Sequence, residues 1–289
     1  MLKNILLSLR PHFWILSIVP ALTGAYLANN HHFSGREFLL IAILIGPCLS
    51  GIAEIVNDYA DRETDELQKV KKIWKLPFSG GSGVVRVGGI TKNETIVTTT
   101  LFAIVAFAIA FSINQYVVAL TAIGLIIALQ YSLEPIHAKI RGIFGPLFFA
   151  SGFRGLVSFN IGWLTFAPFN ATPLIISSAI SFLFFPGFVI SHLSDIEEDK
   201  KLNINTFPVQ VGFENAKKIS AGFFAAGLIL LLTARQMGLI NLNYLTLLWL
   251  PASILFLWKY FSLKNNPKDI LKLATLVILI LLTAPLIFI

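Results

Sequence analysis

The chain has 289 residues, of which 56% are hydrophobic and 13% are charged, and its formal net charge is +7. Soluble domains carry about 25% charged residues, so this composition excludes an ordinary soluble domain and indicates a membrane protein. The single cysteine, Cys48, excludes an intrachain disulfide, and we expect the excess of basic residues to reflect membrane topology rather than binding of nucleic acid.

Nine apolar runs approach the length of about 20 residues that a helix needs to cross a bilayer. Because backbone polar groups in hydrocarbon must be satisfied internally, each run is predicted to be a helix. In chain order the runs cover roughly 13–28, 38–56, 95–113, 116–133, 143–163, 172–193, 216–234, 243–262 and 271–289. The first run could instead belong to a signal peptide, but it is somewhat long for one, and we assign it as the first span. The sequence therefore predicts an all-α, polytopic membrane protein with a single domain, residues 1–289.

The distribution of the 22 Lys and Arg residues predicts the orientation in the membrane. With the N-terminus inside, only Arg36 and Arg235 fall outside, and Arg154 falls within the fifth span. Such an excess on one side predicts a cytoplasmic N-terminus and, after nine spans, an external C-terminus in a prokaryotic cell membrane. The two long inner connections, 57–94 and 194–215, are of a length that usually indicates function.

Residues whose side chains carry carboxylate or amide oxygens cluster in two windows, 57–65 and 195–199, at the inner ends of the second and sixth spans. They are Asn57, Asp58, Asp61, Asp65, Asp195 and Asp199. Spacing at i and i+4 recurs in both windows and would stack like charges on one helix face, which is destabilising unless a cation binds. Mg²⁺ prefers carboxylate oxygens and bridges them to substrate phosphates. The sequence therefore predicts that two facing clusters hold Mg²⁺ and a diphosphate, the alternative being that they are solvated loop charges.

Zinc is disfavoured because no set of His and Cys residues has suitable spacing. The five histidines are scattered. Only His192, one turn before Asp195, is a candidate for a role at the site.

The two windows read NDxxDxxxD, from Asn57 to Asp65, and DxxxD, from Asp195 to Asp199. With the segment Thr206-Phe207-Pro208-Val209, they resemble the motifs of the UbiA superfamily of intramembrane prenyltransferases. Secondary features of that family match Arg10-Pro11 and the segment Tyr131-Ser132-Leu133-Glu134-Pro135 with Lys139. Residues 77–82, Pro-Phe-Ser-Gly-Gly-Ser, resemble the branch related to dihydroxynaphthoate prenyltransferases.

The resemblance implies nine helices around a central cavity, with the inner loops capping the active site. It also implies Mg²⁺-dependent transfer of a polyprenyl group from a polyprenyl diphosphate to an acceptor, with membrane lipid as the surroundings. We expect a small aromatic or lipid acceptor. Carried over by position, the family's metal-site residues would be Asn57, Asp61, Asp65, Asp195 and Asp199, with Asp58 assisting.

Basic and aromatic side chains near the inner membrane face are candidates for the remaining chemistry. Basic residues can share with metal ions the charge of a departing diphosphate, although any single one could instead be a topology or lipid charge. The candidates for contact with the diphosphate are Arg62, Lys72, Lys75, Lys139 and Arg141. Tyr131 is the preferred stabiliser of a carbocation through its ring, and we also assign Lys139 to the catalytic set.

Two charged residues, Glu54 and Arg154, fall inside predicted spans, where charges are rare and usually functional. Arg154, the third catalytic candidate, could bind an acceptor carboxylate or pair with Glu54. A membrane terpene cyclase is the alternative to prenyl transfer. A transporter is disfavoured because its acids would be expected near the midplane of the membrane.

Overall fold

The computed structural model describes residues 2–32, 34–62, 84, 88–193, 195–241 and 246–262, and the single positions 273, 276, 280 and 283. Every regular element within these residues is a helix, and their β-type pairing is limited to an isolated parallel bridge between Gly142 and Thr206. The prediction of an all-α protein is therefore confirmed for the described part of the chain.

The helices follow one another with short connections in most places. In chain order they are α1 (Leu2–Ser8), α2 (Pro11–Ala28), α3 (Gly35–Ala60), α4 (Lys92–Ile113), α5 (Gln115–Gln130), α6 (Phe144–Pro146 followed by Leu147–Val157), α7 (Ser158–Phe166), α8 (Ala171–Leu193), α9 (Ile196–Lys201), α10 (Phe207–Val211), α11 (Phe213–Gln236) and α12 (Thr246–Phe261). A short 3₁₀ turn, Ala138–Ile140, precedes α6.

The chain divides into two compact units. The first comprises Met1–Lys139 and Val157–Pro168, and the second comprises Ile140–Leu156 and Phe169–Ile289. The first unit therefore holds α1 to α5 and α7, and the second holds α6 up to Leu156 and α8 to α12.

Within the described residues, five helices are long and apolar enough to cross a membrane, namely α2, α3, α4, α8 and α11, and α5 is a shorter apolar helix. On α4, Leu101, Ile104 and Phe111 are 58%, 61% and 73% exposed. Exposed apolar surface of this extent is typical of a face that contacts lipid. The chain is an integral membrane protein, and the predicted ninth span lies largely outside the described residues.

In the part of the chain that the structure describes, two helices contain π-helical stretches, which are frequent at functional sites. In α3 the stretch Leu44–Ser50 contains Pro47, and proline lacks the N–H that an α-helical bond requires. In α6 the stretch Leu147–Val157 carries Arg154. The second and fifth predicted spans are therefore helical but not regular α-helices.

Glycines allow α2 and α7 to pack closely in the first unit. A Cβ added at Gly162 would lie 1.8 Å from the carbonyl oxygen of Ala21, and one at Gly24 would lie 2.2 Å from the carbonyl oxygen of Phe159. Small residues at helix contacts permit this approach of backbones within membranes.

In the second unit, aromatic rings join α8 to α10 and α11. Phe185 stacks on Phe223 with ring centroids 4.2 Å apart, and it meets Phe207 at 5.9 Å in an edge-on arrangement. Phe207 directly follows Thr206, so this contact fixes the segment that leads from the second acidic window into α11.

Candidate functional site

Four polar residues lie along the end of α3: Glu54, Asn57, Asp58 and Asp61, which we call the polar column. The helix ends at Ala60, and Asp61 is the residue that follows it. The N–H of Asp61 still donates to the carbonyl oxygen of Asn57 at 2.9 Å. Asn57 and Asp61 therefore remain stacked one turn apart, as their spacing predicts.

The end of α1 and the connector to α2 bond two residues of the polar column. The hydroxyl of Ser8 donates to Oδ2 of Asp58 at 3.1 Å, and the guanidinium of Arg10 donates to Oε2 of Glu54 at 3.0 Å. Arg10 and Glu54 are each 7% exposed, and Asp58 is 2% exposed. Breaking a buried ion pair leaves a charge without compensation away from water, which is strongly destabilising. The bond between Arg10 and Glu54 therefore holds the connector in place at this site.

The segment that follows α5 bonds the other two residues of the column. The hydroxyl of Ser132 donates to Oδ1 of Asn57 at 3.0 Å, and the ammonium of Lys139 donates to Oδ2 of Asp61. The N–H of Lys139 donates to the carbonyl oxygen of Tyr131 at 3.0 Å. The first unit thus brings together Asn57 and Asp61, predicted to bind metal, with Tyr131 and Lys139, predicted to be catalytic.

Arg62, a candidate for contact with diphosphate, lies immediately after the polar column. Its guanidinium lies 4.3 Å from the ring centroid of Tyr59 and donates to the carbonyl oxygen of Tyr59 at 3.0 Å. The predicted site residues Asp65, Lys72 and Lys75 lie outside the described residues.

The second acidic window lies in the second unit, directly after α8. The N–H of Asp199 donates to the carbonyl oxygen of Asp195 at 2.8 Å, and the Asp199 carboxylate accepts a hydrogen bond of 2.9 Å from Thr206. Thr206 forms the backbone bridge with Gly142. Because Arg141 precedes Gly142, this bridge places the backbone of a predicted diphosphate contact beside the segment that bonds Asp199.

Aromatic rings connect Arg154 to the second acidic window within the second unit. The guanidinium of Arg154 lies 5.1 Å from the ring centroid of Phe149, which is 5.9 Å from Phe188, which in turn is 4.8 Å from His192. His192 Nδ1 also lies 3.1 Å from the carbonyl oxygen of Phe188. Arg154 is buried in a π-helical stretch, whereas His192 is partly exposed.

Each window carries carboxylate oxygens, which are the ligands that a hard cation takes. In neither unit do three His, Cys, Asp or Glu side chains of the described residues converge on one point. Asp61 and Asp195 are partly exposed, whereas Asp58 and Asp199 are buried and hydrogen-bonded. Mg²⁺ suits the donors of each window, taken by itself, because it takes few protein carboxylates and completes its coordination with water and substrate phosphate.

Several residues that support the site were not predicted from the sequence. Ser8 and Ser132 were not identified as partners of the first window, nor was Arg10 identified as the partner of Glu54. The sequence does contain a signal for the pairing of Arg10 with Glu54. A charge inside a membrane span requires a partner, and Arg10 is a basic residue directly before the first span.

The sequence matches a known protein family. A family model described as the UbiA prenyltransferase family matches residues 17–282. The chain is 28% identical over 176 residues to the bacteriochlorophyll synthase 34 kDa chain of Chloroflexus aurantiacus, covering 61% of this chain and 53% of that protein. It therefore spans about half the length of this relative. It is 22% identical over 269 residues to the 4-hydroxybenzoate octaprenyltransferase of Polaromonas sp., covering 90% of this chain and 85% of that protein.

The fold is also similar to solved structures. A UbiA homologue from Archaeoglobus fulgidus bound to DMAPP and Mg²⁺ matches with a TM-score of 0.73 and 21% identity, covering 96% of each chain. This likeness shows a shared fold. Because the family model matches nearly the whole sequence, the chain belongs to the UbiA prenyltransferase family.

Proposed function

We propose that this protein transfers a polyprenyl group from a polyprenyl diphosphate to a small aromatic or lipid acceptor in a Mg²⁺-dependent reaction. The observation that carries the proposal is the contact of Lys139 with Asp61, one turn from Asn57, in a member of a prenyltransferase family. The Archaeoglobus homologue binds DMAPP and Mg²⁺, which supports a diphosphate donor.

The two windows would supply the metal ligands. The residues that would hold Mg²⁺ are Asn57, Asp61, Asp65, Asp195 and Asp199, with Asp58 assisting. When bound, the metal would neutralise charge on the diphosphate leaving group. The hydroxyls of Ser8 and Thr206 would hold the carboxylates of Asp58 and Asp199 in place.

Basic residues beside the first window would bind the diphosphate. Lys139 would present its ammonium next to Asp61, where its backbone bond to Tyr131 restricts its position. Such fixed charges stabilise a developing anion without reorganisation. The other proposed contacts are Arg62, Lys72, Lys75 and Arg141.

Tyr131 would act on the prenyl cation, and Arg154 would act on the acceptor. The ring of Tyr131 would attract an allylic cation, an interaction that strengthens when water is excluded. Tyr131 is 7% exposed, which suits this role. Arg154 would bind an anionic group of the acceptor.

We also propose the arrangement in the membrane that the sequence predicts. The chain would form a single domain of nine spans around a central cavity, with the inner segments 57–94 and 194–215 capping it. The N-terminus and the site would be cytoplasmic, and the C-terminus external, because nearly all Lys and Arg residues fall in the inner segments.

The acceptor is proposed from features of this chain. The two relatives described above, a bacteriochlorophyll synthase chain and a 4-hydroxybenzoate octaprenyltransferase, are named for different reactions. The Pro-Phe-Ser-Gly-Gly-Ser segment at 77–82 favours an aromatic acid such as dihydroxynaphthoate. The buried Arg154 supports the same choice, because an arginine fork matches a carboxylate.

The experiment is incubation of the purified protein with Mg²⁺, donors from geranyl to geranylgeranyl diphosphate and longer, and a panel of acceptors, with mass spectrometry of the products. The panel includes dihydroxynaphthoate, 4-hydroxybenzoate, a chlorophyllide and a glycerol phosphate lipid. We expect diphosphate release only when an acceptor is present, with the product heavier by one prenyl group. A prenyl hydrocarbon formed without acceptor would select the membrane terpene cyclase instead, and absence of Mg²⁺-dependent diphosphate release would reject both functions.

A further inference from the structure

The N-terminal segment contacts both ends of the inner segment 57–94. At one end, Ser8 and Arg10 bond Asp58 and Glu54. At the other end, Nδ2 of Asn4 donates to the carbonyl oxygen of Gly89 at 2.9 Å. The inner segment carries Asp61, Asp65 and three of the proposed diphosphate contacts, and the N-terminal segment, residues 4–10, thus bonds residues near both ends of this stretch.

Glu54 lies on the same helix face as the proposed metal ligands. It precedes Asn57 and Asp58 by one turn and Asp61 by two, and residues at these spacings align along a helix. A bond that fixes the Glu54 side chain therefore fixes the rotation of α3 about its axis, and with it the direction in which Asn57 points.

Arg10 reaches Glu54 from an unusual backbone conformation. Its φ is 49° and its ψ is 64°, which is the left-handed region that residues with a Cβ rarely adopt. Its guanidinium also lies 4.2 Å from the ring centroid of Phe13, and Trp14 Nε1 donates to the carbonyl oxygen of Leu9 at 2.7 Å. Unfavourable backbone conformations persist where surrounding contacts impose them, and they cluster at functional sites.

We propose that Arg10 and Glu54 are positioning residues, and that their ion pair sets the placement of Asn57 and Asp61 and thereby the affinity for the divalent metal. The inference rests on the proposed function. Neither residue touches the metal or the substrate in this scheme. They act through α3, as residues that support metal ligands do in other proteins.

The experiment compares Arg10→Gln, Glu54→Gln and the double variant R10Q/E54Q in the full-length protein in detergent. Two readouts are taken: the thermal unfolding midpoint, and the binding of Mn²⁺ in the presence of inorganic pyrophosphate, followed by electron paramagnetic resonance. The matched control is R36Q/E37Q, which removes an adjacent pair of opposite charges from the other end of α3.

Each single variant is expected to lower the midpoint, because it leaves one buried charge without its partner. The double variant is expected to recover the midpoint yet to bind Mn²⁺ about tenfold to a hundredfold more weakly than the wild type, the range typical for loss of a supporting residue. The control is expected to match the wild type in metal binding. Wild-type metal affinity in the double variant would show that the pair is only structural and would overturn the inference.

A conservative variant provides a second test that does not depend on the double variant folding. Arg10→Lys keeps the charge opposite Glu54, so it is expected to bind Mn²⁺ more tightly than Arg10→Gln. Equal affinities of these two variants would overturn the inference. A wild-type protein that neither binds Mn²⁺ with pyrophosphate nor releases diphosphate would instead overturn the proposed function.

Discussion

Lys139 donates from its ammonium to Oδ2 of Asp61 across a separation of 78 residues in sequence. The same residue is tied through its backbone N–H to the carbonyl oxygen of Tyr131. A charge-assisted bond of this kind is directional and stronger than a neutral one. It joins the segment after α5 to the end of α3, and so connects a proposed catalytic residue to a proposed metal ligand.

Replacing Lys139 with methionine is expected to lower kcat/KM for diphosphate release by about a hundredfold, the scale seen when one fixed donor to a developing anion is removed. Lys139→Arg should recover part of the loss because it retains the charge. Steady-state assays at saturating Mg²⁺ provide the measurement, with Lys92→Met as the control, since Lys92 is an exposed lysine at the start of α4. Unchanged kcat/KM in Lys139→Met would remove Lys139 from the site.

Thr206→Val is expected to reduce the free energy of unfolding by about 1–3 kcal/mol, because it leaves the buried Asp199 carboxylate without the hydroxyl that bonds it. Thr23→Val is the matched control. Thr23 is also buried, but its hydroxyl donates to the carbonyl oxygen of Val19 in its own helix rather than to a carboxylate. Thermal unfolding in detergent compares the two variants, and equal midpoints would mean that Thr206 does not support Asp199.

Gly162→Ala is expected to force α2 and α7 apart, because the new methyl group would lie 1.8 Å from the carbonyl oxygen of Ala21. Overpacking of this kind costs about 1–3 kcal/mol, occasionally more. Gly222→Ala adds the same methyl group to α11, where no atom of the described residues outside that helix's own neighbouring backbone lies within 4 Å of the new Cβ. The midpoint should fall in the first variant and not in the second, and a fall in both would point to a general intolerance of larger residues.

The proposed orientation is tested by single cysteines placed in a Cys48→Ala background. Asn170→Cys is expected to react with a membrane-impermeant maleimide in intact cells, because the positive-inside distribution places residue 170 outside. Lys201→Cys should react only after permeabilisation. The opposite pattern of labelling would invert the orientation, and with it the side of the membrane on which the site opens.

The helical geometry of the first acidic window could be predicted from the sequence because it is local. Asn57 and Asp61 are one helical turn apart, and the bond between their backbones preserves that turn even though α3 ends at Ala60. Of the nine apolar spans predicted from composition and length, five correspond to helices long and apolar enough to cross a membrane within the described residues. Both predictions depend on patterns among residues that are close together in the sequence.

The partners of the window depend on tertiary packing, and the sequence did not reveal most of them. Arg10 and Glu54 are 44 residues apart, and Ser132 and Asn57 are 75 residues apart. Arg154 is a candidate partner for Glu54 from the sequence, because both fall within predicted spans, but in the structure Glu54 bonds Arg10. The left-handed turn at Arg10, which brings its guanidinium to Glu54, has no sequence signal comparable to a glycine.

The most direct test of a diphosphate site built from two acidic windows is Mg²⁺-dependent diphosphate release by Asp61→Ala and Asp195→Ala, one variant from each window. Asp269→Ala serves as the control, because Asp269 is the one aspartate outside both windows. We predict that each window variant loses at least about a hundredfold in turnover, as expected when a metal ligand is removed, while the control keeps wild-type turnover. Full Mg²⁺-dependent turnover in both window variants would contradict the proposed site.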